Sequence, residues 1–240
     1  MEALRFILKG KTAFFKNPEV NSYYYFSYGN IHKPVLLGMF GAILGYKGYE
    51  QGICKGQKSV YPEYYERLKE LKISIIPGKE DGHFYKKMQS YNNSVGYASK
   101  EQGGNLIVKE QWIEDPEWTI YIQMNDEESA KLADAILDHR CVYMPNLGTN
   151  DHPAQLLNES IVSLEEIDAK EKKLHSLGVA QTLDFDWDVY FNYKYEEYLP
   201  IALKESTNHY CLEKFVLTDT GLLEASVPVY TDGVKNIVFY

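Results

Sequence analysis

The 240-residue sequence predicts an α+β fold: two β-α-β halves in a ferredoxin-like arrangement, an inserted β-hairpin, and a mostly β C-terminal region. Three observations predict it. A strand–helix–strand pattern occurs twice before Pro145, a basic segment that neither unit needs lies between the two at 79–112, and turn-formers divide the rest of the chain into short apolar stretches.

The first strand is Leu4, Phe6 and Leu8 alternating with Arg5, Ile7 and Lys9. The stretch YGNIHKPVLLGMFGAILGYKGY follows at 28–49, with a helix over 34–45 and Pro34 suited to its first turn. Gly38, Gly41 and Gly45 share one side of that helix, where missing side chains admit another backbone. Each costs roughly 1 kcal/mol relative to alanine, so packing or contact must compensate. Two readings stand side by side: His32 and Lys33 beside free backbone N–H groups form a phosphate seat, or the segment is a tightly packed core helix with an ordinary capping turn. A second helix is expected at 63–71, with Tyr64, Leu68 and Leu71 as its stripe. Ile73, Ile75 and Ile76 then form a strand stopped by Pro77-Gly78.

The second unit opens with Trp118, Ile120 and Ile122. Asn125 or Asp126 caps the next helix, Glu127 and Glu128 occupy its favourable first turn, and Ala130, Ala133, Ile136 and Leu137 supply the buried stripe. Residues 141–144 read as the return strand. Two such halves form a ferredoxin-like scaffold, one also used by RNA-recognition modules. The segment at 79–112 holds Lys86, Lys87, Lys100 and Lys109, and reads as a protruding basic hairpin or as a surface loop. Farther on, 161–175 is expected to contain a helix and 182–240 to be mostly β, with turns at Thr220-Gly221 and Asp232-Gly233.

Length allows one large domain or two small ones, divided here as 1–150 and 151–240. No apolar run approaches the roughly 20 residues that cross a bilayer. The start MEALRFILKGK lacks a basic leader and a cleavage site, so a cytoplasmic protein without a membrane partner is expected. Cys54, Cys141 and Cys211 are odd in number and scattered, as reduced thiols are. Net charge is −9 and unevenly spread: residues 1–109 carry 16 Lys+Arg against 9 Asp+Glu, a net of +7, whereas 110–240 carry 9 against 25, a net of −16. The asymmetry points to a basic face in the first half. Tyrosine is abundant at 21 copies, including Tyr23-Tyr24-Tyr25, and its ring and hydroxyl suit both bases and phosphates. In such a run alternate rings point to opposite faces, so at least half are expected to belong to core or edge packing.

No Walker loop or dinucleotide fingerprint is present, and no cofactor is expected. Asp184, Asp186 and Asp188 fail the calcium-loop pattern at Val189 and Tyr195 and fit the solvated face of a strand. The His139/Cys141 and Asp151/His152 pairs lack second pairs at zinc spacing, so no metal is expected either. Metal-independent RNA cleavage needs a base and a cation. Tyr28, His32 and Lys33 are the only compact set of those types, and no histidine occurs between His83 and His139.

Taken in order, Tyr28-Gly-Asn-Ile-His-Lys-Pro-Val-Leu-Leu-Gly-Met-Phe-Gly-Ala-Ile-Leu-Gly, Val108-Lys-Glu-Gln-Trp-Ile, Trp118-Thr-Ile-Tyr-Ile and Leu147-Gly-Thr-Asn-Asp-His-Pro-Ala resemble the CRISPR-associated protein 5 (Cas-five) family of the RAMP superfamily, most closely its type I-B branch. The likeness extends over roughly the first two-thirds of the chain. It implies a ferredoxin-like palm with a β-hairpin thumb, at about 79–111 here, within the ribonucleoprotein called Cascade that serves antiviral defence. It further implies that the 5′ handle of the CRISPR RNA is capped, beside a Cas-seven backbone subunit and a large Cas-eight-type subunit that engages target DNA. In the I-C branch a related protein cleaves precursor RNA; in type I-B a separate Cas-six protein does so. Within that inferred palm and thumb, Arg5, Lys9, Lys11, Lys86, Lys87, Lys100 and Lys109 are expected at phosphates, with Tyr28, His32 and Lys33 near the palm surface, and the helix glycines are assigned to close packing. The expected function is non-catalytic RNA binding; the alternative is a metal-independent endoribonuclease using Tyr28, His32 and Lys33.

Overall fold

In the computed structural model, which describes residues 1–19, 22–49 and 60–240, the chain runs β1 (Glu2–Lys9), β2 (Thr12–Ala13), α1 (Lys33–Leu44), α2 (Glu63–Leu68), β3 (Ile73–Pro77), β4 (Lys86–Asn92), β5 (Ile107–Glu114), β6 (Glu117–Gln123), α3 (Glu127–Leu137) and β7 (Gln155–Ser163). Four strands form an antiparallel sheet in the order β3-β6-β1-β7. The alternation of β1 sets its sidedness. Leu4, Phe6 and Leu8 join Ile73, Ile75, Trp118, Ile120 and Ile122 in one core with the apolar residues of α1, α2 and α3. Each fully buried Leu or Phe contributes about 1.5–3 kcal/mol, so a one-residue slip of β1 would expose its whole apolar set. The opposite face is partly covered by a smaller cluster of Ala3, Ile76, Tyr121, Leu164 and Ile237.

The rest is β8 (Glu165–Ile167), β9 (Gly178–Val179), β10 (Leu183–Phe185), β11 (Lys194–Leu203), β12 (Tyr210–Thr218), β13 (Leu222–Ala225), β14 (Val229–Thr231) and β15 (Asn236–Val238). β12 lies between β11 and β9, β14 between β8 and β15, and β10 pairs with β13. The mostly β character expected for 182–240 is therefore observed. Asp184, in β10, is exposed as the solvated-face reading requires, but the strand ends at Phe185, so Asp186 and Asp188 lie beyond it, Asp188 in a turn. Cys141 and Cys211 are free thiols, and Cys54 lies outside the described residues.

Four expectations need correction. Residues 141–144 are not a strand: Val142 and Tyr143 donate their backbone N–H groups to the carbonyls of Ile43 and Ala42 at 2.9 and 3.1 Å, satisfying the end of α1. The return strand is β7. No helix forms in 161–175, which β7 and β8 enter instead; pairing with β1 and β14 overrides a charged, helix-compatible composition. α3 is turned by one residue from the expected stripe. It buries Ser129, Leu132, Ala133 and Ile136, while Ala130 and Leu137 are exposed, because facing Leu132 inward removes more apolar area from water than facing Ala130 would. Its cap is Asp126, whose carboxylate accepts from the Ser129 N–H at 2.7 Å. Finally, α2 ends at Leu68, sooner than expected, with Tyr65 and Leu68 buried.

The α1 glycines divide by role. A Cβ on Gly41 would lie 2.4 Å from the Cβ of Tyr64, so α2 approaches here because a side chain is missing, whereas Gly38 has ordinary room. Gly45 ends the helix in the left-handed region, at φ 77°. Gly41→Ala is expected to cost about 1–2 kcal/mol, because a clash this close puts overpacking at about 2–3 kcal/mol, which outweighs the roughly 1 kcal/mol gain in helix propensity. Urea denaturation reads this directly; an unchanged or higher midpoint would show that the two helices separate at no cost.

Candidate nucleic-acid interface

β4 and β5 pair from Lys86 opposite Ile113 to Asn92 opposite Ile107, so alternate residues fall on two faces. One face carries Lys86, Met88, Ser90, Ile107, Lys109 and Gln111. Met88 and Ile107 are 46% and 57% exposed, side by side with cations. β5 is edged on its other side by β2 and, farther along, by Tyr25, whose N–H donates to the Lys109 carbonyl at 2.9 Å. Tyr24 thereby comes to lie under Lys109, whose Nζ stands 5.1 Å from the ring centroid. Lys100 lies exposed on the 3₁₀ turn Ala98–Lys100 that interrupts the connection between the two strands.

The opposite face is internally satisfied. Lys87 Nζ is 3.1 Å from a Glu114 carboxylate oxygen. The Tyr91 hydroxyl and the Trp112 indole N–H both donate to Glu110, at 3.0 and 2.8 Å. Trp112 packs edge-on against His152, whose Nδ1 lies 2.7 Å from Thr12 Oγ1.

The sequence-expected cations are thus sorted by environment. Lys100 and Lys109 lie on the hairpin and Lys11 beyond β1, none with an ion-pair partner among the described residues; Lys9 is half-buried. Lys86 Nζ donates to the Ser27 carbonyl at 3.1 Å, and burial lowers its pKa. Arg5 lies 3.4 Å from both Asp232 and Ser160, so the C-terminal region holds its guanidinium against the sheet. Lys87 is neutralised by Glu114. In this structure Arg5 and Lys87 each stand against a carboxylate of the chain itself.

Tyr28, His32 and Lys33 do come together, but inside: they are 3%, 2% and 8% exposed. The His32 ring packs edge-on against Tyr28, Tyr210 and Phe15, with centroids 5.2, 5.3 and 6.1 Å away. Neither ring nitrogen has a partner among the described residues, and burial pulls its pKa down to about 3, so the imidazole is neutral. Burial pushes Tyr28 up to about 12. Lys33 Nζ donates to the Tyr240 carbonyl at 3.3 Å, and burial pulls it down to about 8. The expected phosphate seat at the start of α1 is therefore closed, because segments distant in sequence pack over it.

Two features of the interface have no signature in the residues taken one at a time. Met88 and Ile107 sit in a polar stretch and mark no surface until the strand register pairs their faces. Tyr24 is only one of a run in the sequence, and its pairing with Lys109 depends on where Tyr25 joins β5.

No family model matches the chain, and no curated protein matches it in sequence. Solved structures do match in fold. A chain of a CRISPR RNA-guided surveillance complex superposes with a TM-score of 0.56 at 12% identity, covering 93% of this chain and 92% of that one. A CRISPR protein from Archaeoglobus fulgidus superposes with a TM-score of 0.50 at 9% identity, covering 99% of this chain and 98% of that one. The α+β architecture described above is thus one that this chain shares, over nearly its full length, with two CRISPR-associated proteins.

Proposed function

We propose that this chain is a non-catalytic, Cas-five-type subunit of a type I-B CRISPR surveillance complex in the cytoplasm. It caps the 5′ handle of the guide RNA, beside a Cas-seven backbone subunit and a large Cas-eight-type subunit that engages target DNA. On this reading the four-stranded sheet with its two crossover helices is the ferredoxin-like palm, and β4–β5 is the thumb. One observation carries it: a hairpin face on which exposed apolar side chains, an aromatic ring and the Lys109 ammonium, without an ion-pair partner among the described residues, lie together, with Lys100 exposed on the connecting turn. Single-stranded RNA is bound by that combination, with rings and apolar surface for bases and cations for phosphates. The sealed, neutral His32 supports a non-catalytic role, since a general base must reach the proton it removes.

The test replaces Lys100 and Lys109 with alanine, because Lys86 and Lys87 already have partners in the Ser27 carbonyl and Glu114. Retention of guide RNA by the purified assembly is expected to weaken, and the log–log salt slope to become shallower by about 0.7 for each phosphate that is no longer neutralised. The circular dichroism spectrum stays the same. Unchanged retention and slope would remove the hairpin from the interface. Cleavage of labelled repeat RNA in EDTA, abolished by His32→Ala, would replace the proposal with the endoribonuclease reading.

A further inference from the structure

A cleft of about 680 Å³ opens between the segment around Lys16 and the start of β12; its lining includes Lys16, Glu19, Tyr28, Lys204, Asn208 and Tyr210. That volume lies in the range of small-ligand sites. The walls combine two aromatic rings with two ammoniums, a carboxylate and an amide. The Tyr28 and Tyr210 rings meet edge-to-face with centroids 6.4 Å apart, which leaves no slot between them; Tyr28 is enclosed, so the ring open to a stacking base is that of the half-buried Tyr210. Among the described residues neither the buried Asn208 Oδ1 nor either nitrogen of His32 behind the two rings has a hydrogen-bond partner.

The cleft is also continuous with the hairpin face. Lys16 pairs with Ser27, and the Asn17 N–H donates to the Phe26 carbonyl at 2.7 Å. The same ribbon is stitched to β5 through Tyr25, whose carbonyl accepts from the Gln111 N–H at 2.9 Å. Lys16 Nζ stands 4.0 Å from the Tyr25 ring centroid, as Lys109 stands over Tyr24. Cation-on-ring pairs therefore lead from the hairpin to the mouth of the cleft, and Lys204 lies beyond.

We propose that this cleft is a single-nucleotide subsite for RNA, with the base against Tyr210 and the phosphate on Lys16 and Lys204. Glu19 adds an acceptor suited to a ribose 2′-hydroxyl, and its charge disfavours a second phosphate. The ligand class is one nucleotide unit of a strand, set apart by that carboxylate from a free nucleoside di- or triphosphate. The proposal rests on the RNA-binding reading above and adds a second contact point to it.

The experiment uses the full chain and a short single-stranded RNA in which successive positions carry photoactivatable 4-thiouridine, with crosslinks located by mass spectrometry and affinity measured by anisotropy. Expected are crosslinks from one nucleotide to Tyr210 and from others to the hairpin. Lys16→Ala/Lys204→Ala should abolish the first set, keep the second, and lower affinity about tenfold, since a stacked base and its phosphate contribute on that order. Both lysines can be removed with little risk to the fold, which a thermal melt checks. Hairpin crosslinks without cleft crosslinks, and an unchanged affinity in the double variant, would overturn the subsite while leaving the RNA-binding reading in place. No crosslinks to either region would overturn both.

Discussion

Trp118→Ala is expected to lower the stability of the fold by about 3–5 kcal/mol, as truncation of a buried tryptophan does. Trp118 is fully buried in β6, the strand between β3 and β1. Its ring packs against Phe84 and Phe15, with centroids 5.2 and 5.8 Å away. The indole N–H donates to Asn30 Oδ1 at 2.9 Å, and Asn30, itself fully buried, donates through Nδ2 to the Gly82 carbonyl at 2.9 Å. Truncation therefore opens a cavity and also strands a buried acceptor, which costs about 1–3 kcal/mol by itself. Trp118→Phe keeps most of the ring and loses only the donor, so it should recover the larger part of the loss. Small domains are stable by only about 5–15 kcal/mol, so the alanine variant should show a much lower urea midpoint and reduced soluble yield. A loss below about 1 kcal/mol would mean that the ring does not join these segments.

Gly148→Ala is expected to cost about 3 kcal/mol, because strain in the left-handed region and a backbone clash act together. Gly148 has φ 104°, and a Cβ there would stand 1.8 Å from the carbonyl oxygen of Phe14. The turn must then both adopt a conformation unfavourable for an L side chain and move away from a backbone that cannot yield like a flexible side chain. What it would release is specific. The Phe14 N–H donates to the Leu147 carbonyl at 3.0 Å, and Leu147 is fully buried. The ribbon that begins at β2 carries Lys16, Tyr24 and Tyr25, so under the proposed RNA-binding function loosening its base should weaken that binding along with stability. Equilibrium denaturation and anisotropy on the same preparation measure both. Full stability in this variant would show that the 147–152 turn does not pin the ribbon.

Legibility in the sequence followed the range of the forces involved. Local signals read correctly: the alternation of β1 and β6, Pro34 in the first turn of α1, Asp126 as a cap, and the Pro77-Gly78 stop each depend on neighbours within a few residues. Errors arose where a distant partner decided. Residues 141–144 have a strand-like composition, yet the end of α1 takes their N–H groups and β7 takes the edge of β1. The charged run near 161–175 would suit a helix in isolation, but β1 and β14 offer ladders that satisfy its backbone better.

The candidate site divides in the same way. A hairpin was legible from an unneeded basic segment with strand-like ends, and its cations were legible as residue types. Which of them remain available was not. Lys87 and Arg5 read in the sequence like any other surface cation until Glu114 and Asp232 arrive from other strands and loops to pair with them.

By itself the sequence determined the class of fold, most element positions and the concentration of positive charge in the first half, because these depend on composition and on short-range periodicity. Only the tertiary structure decided which charges face solvent, that Tyr28, His32 and Lys33 are enclosed, and that a ribbon joins the hairpin to a cleft beside Tyr210. Those outcomes require contacts between segments far apart along the chain, and no local spacing records the partner that burial or a carboxylate will supply.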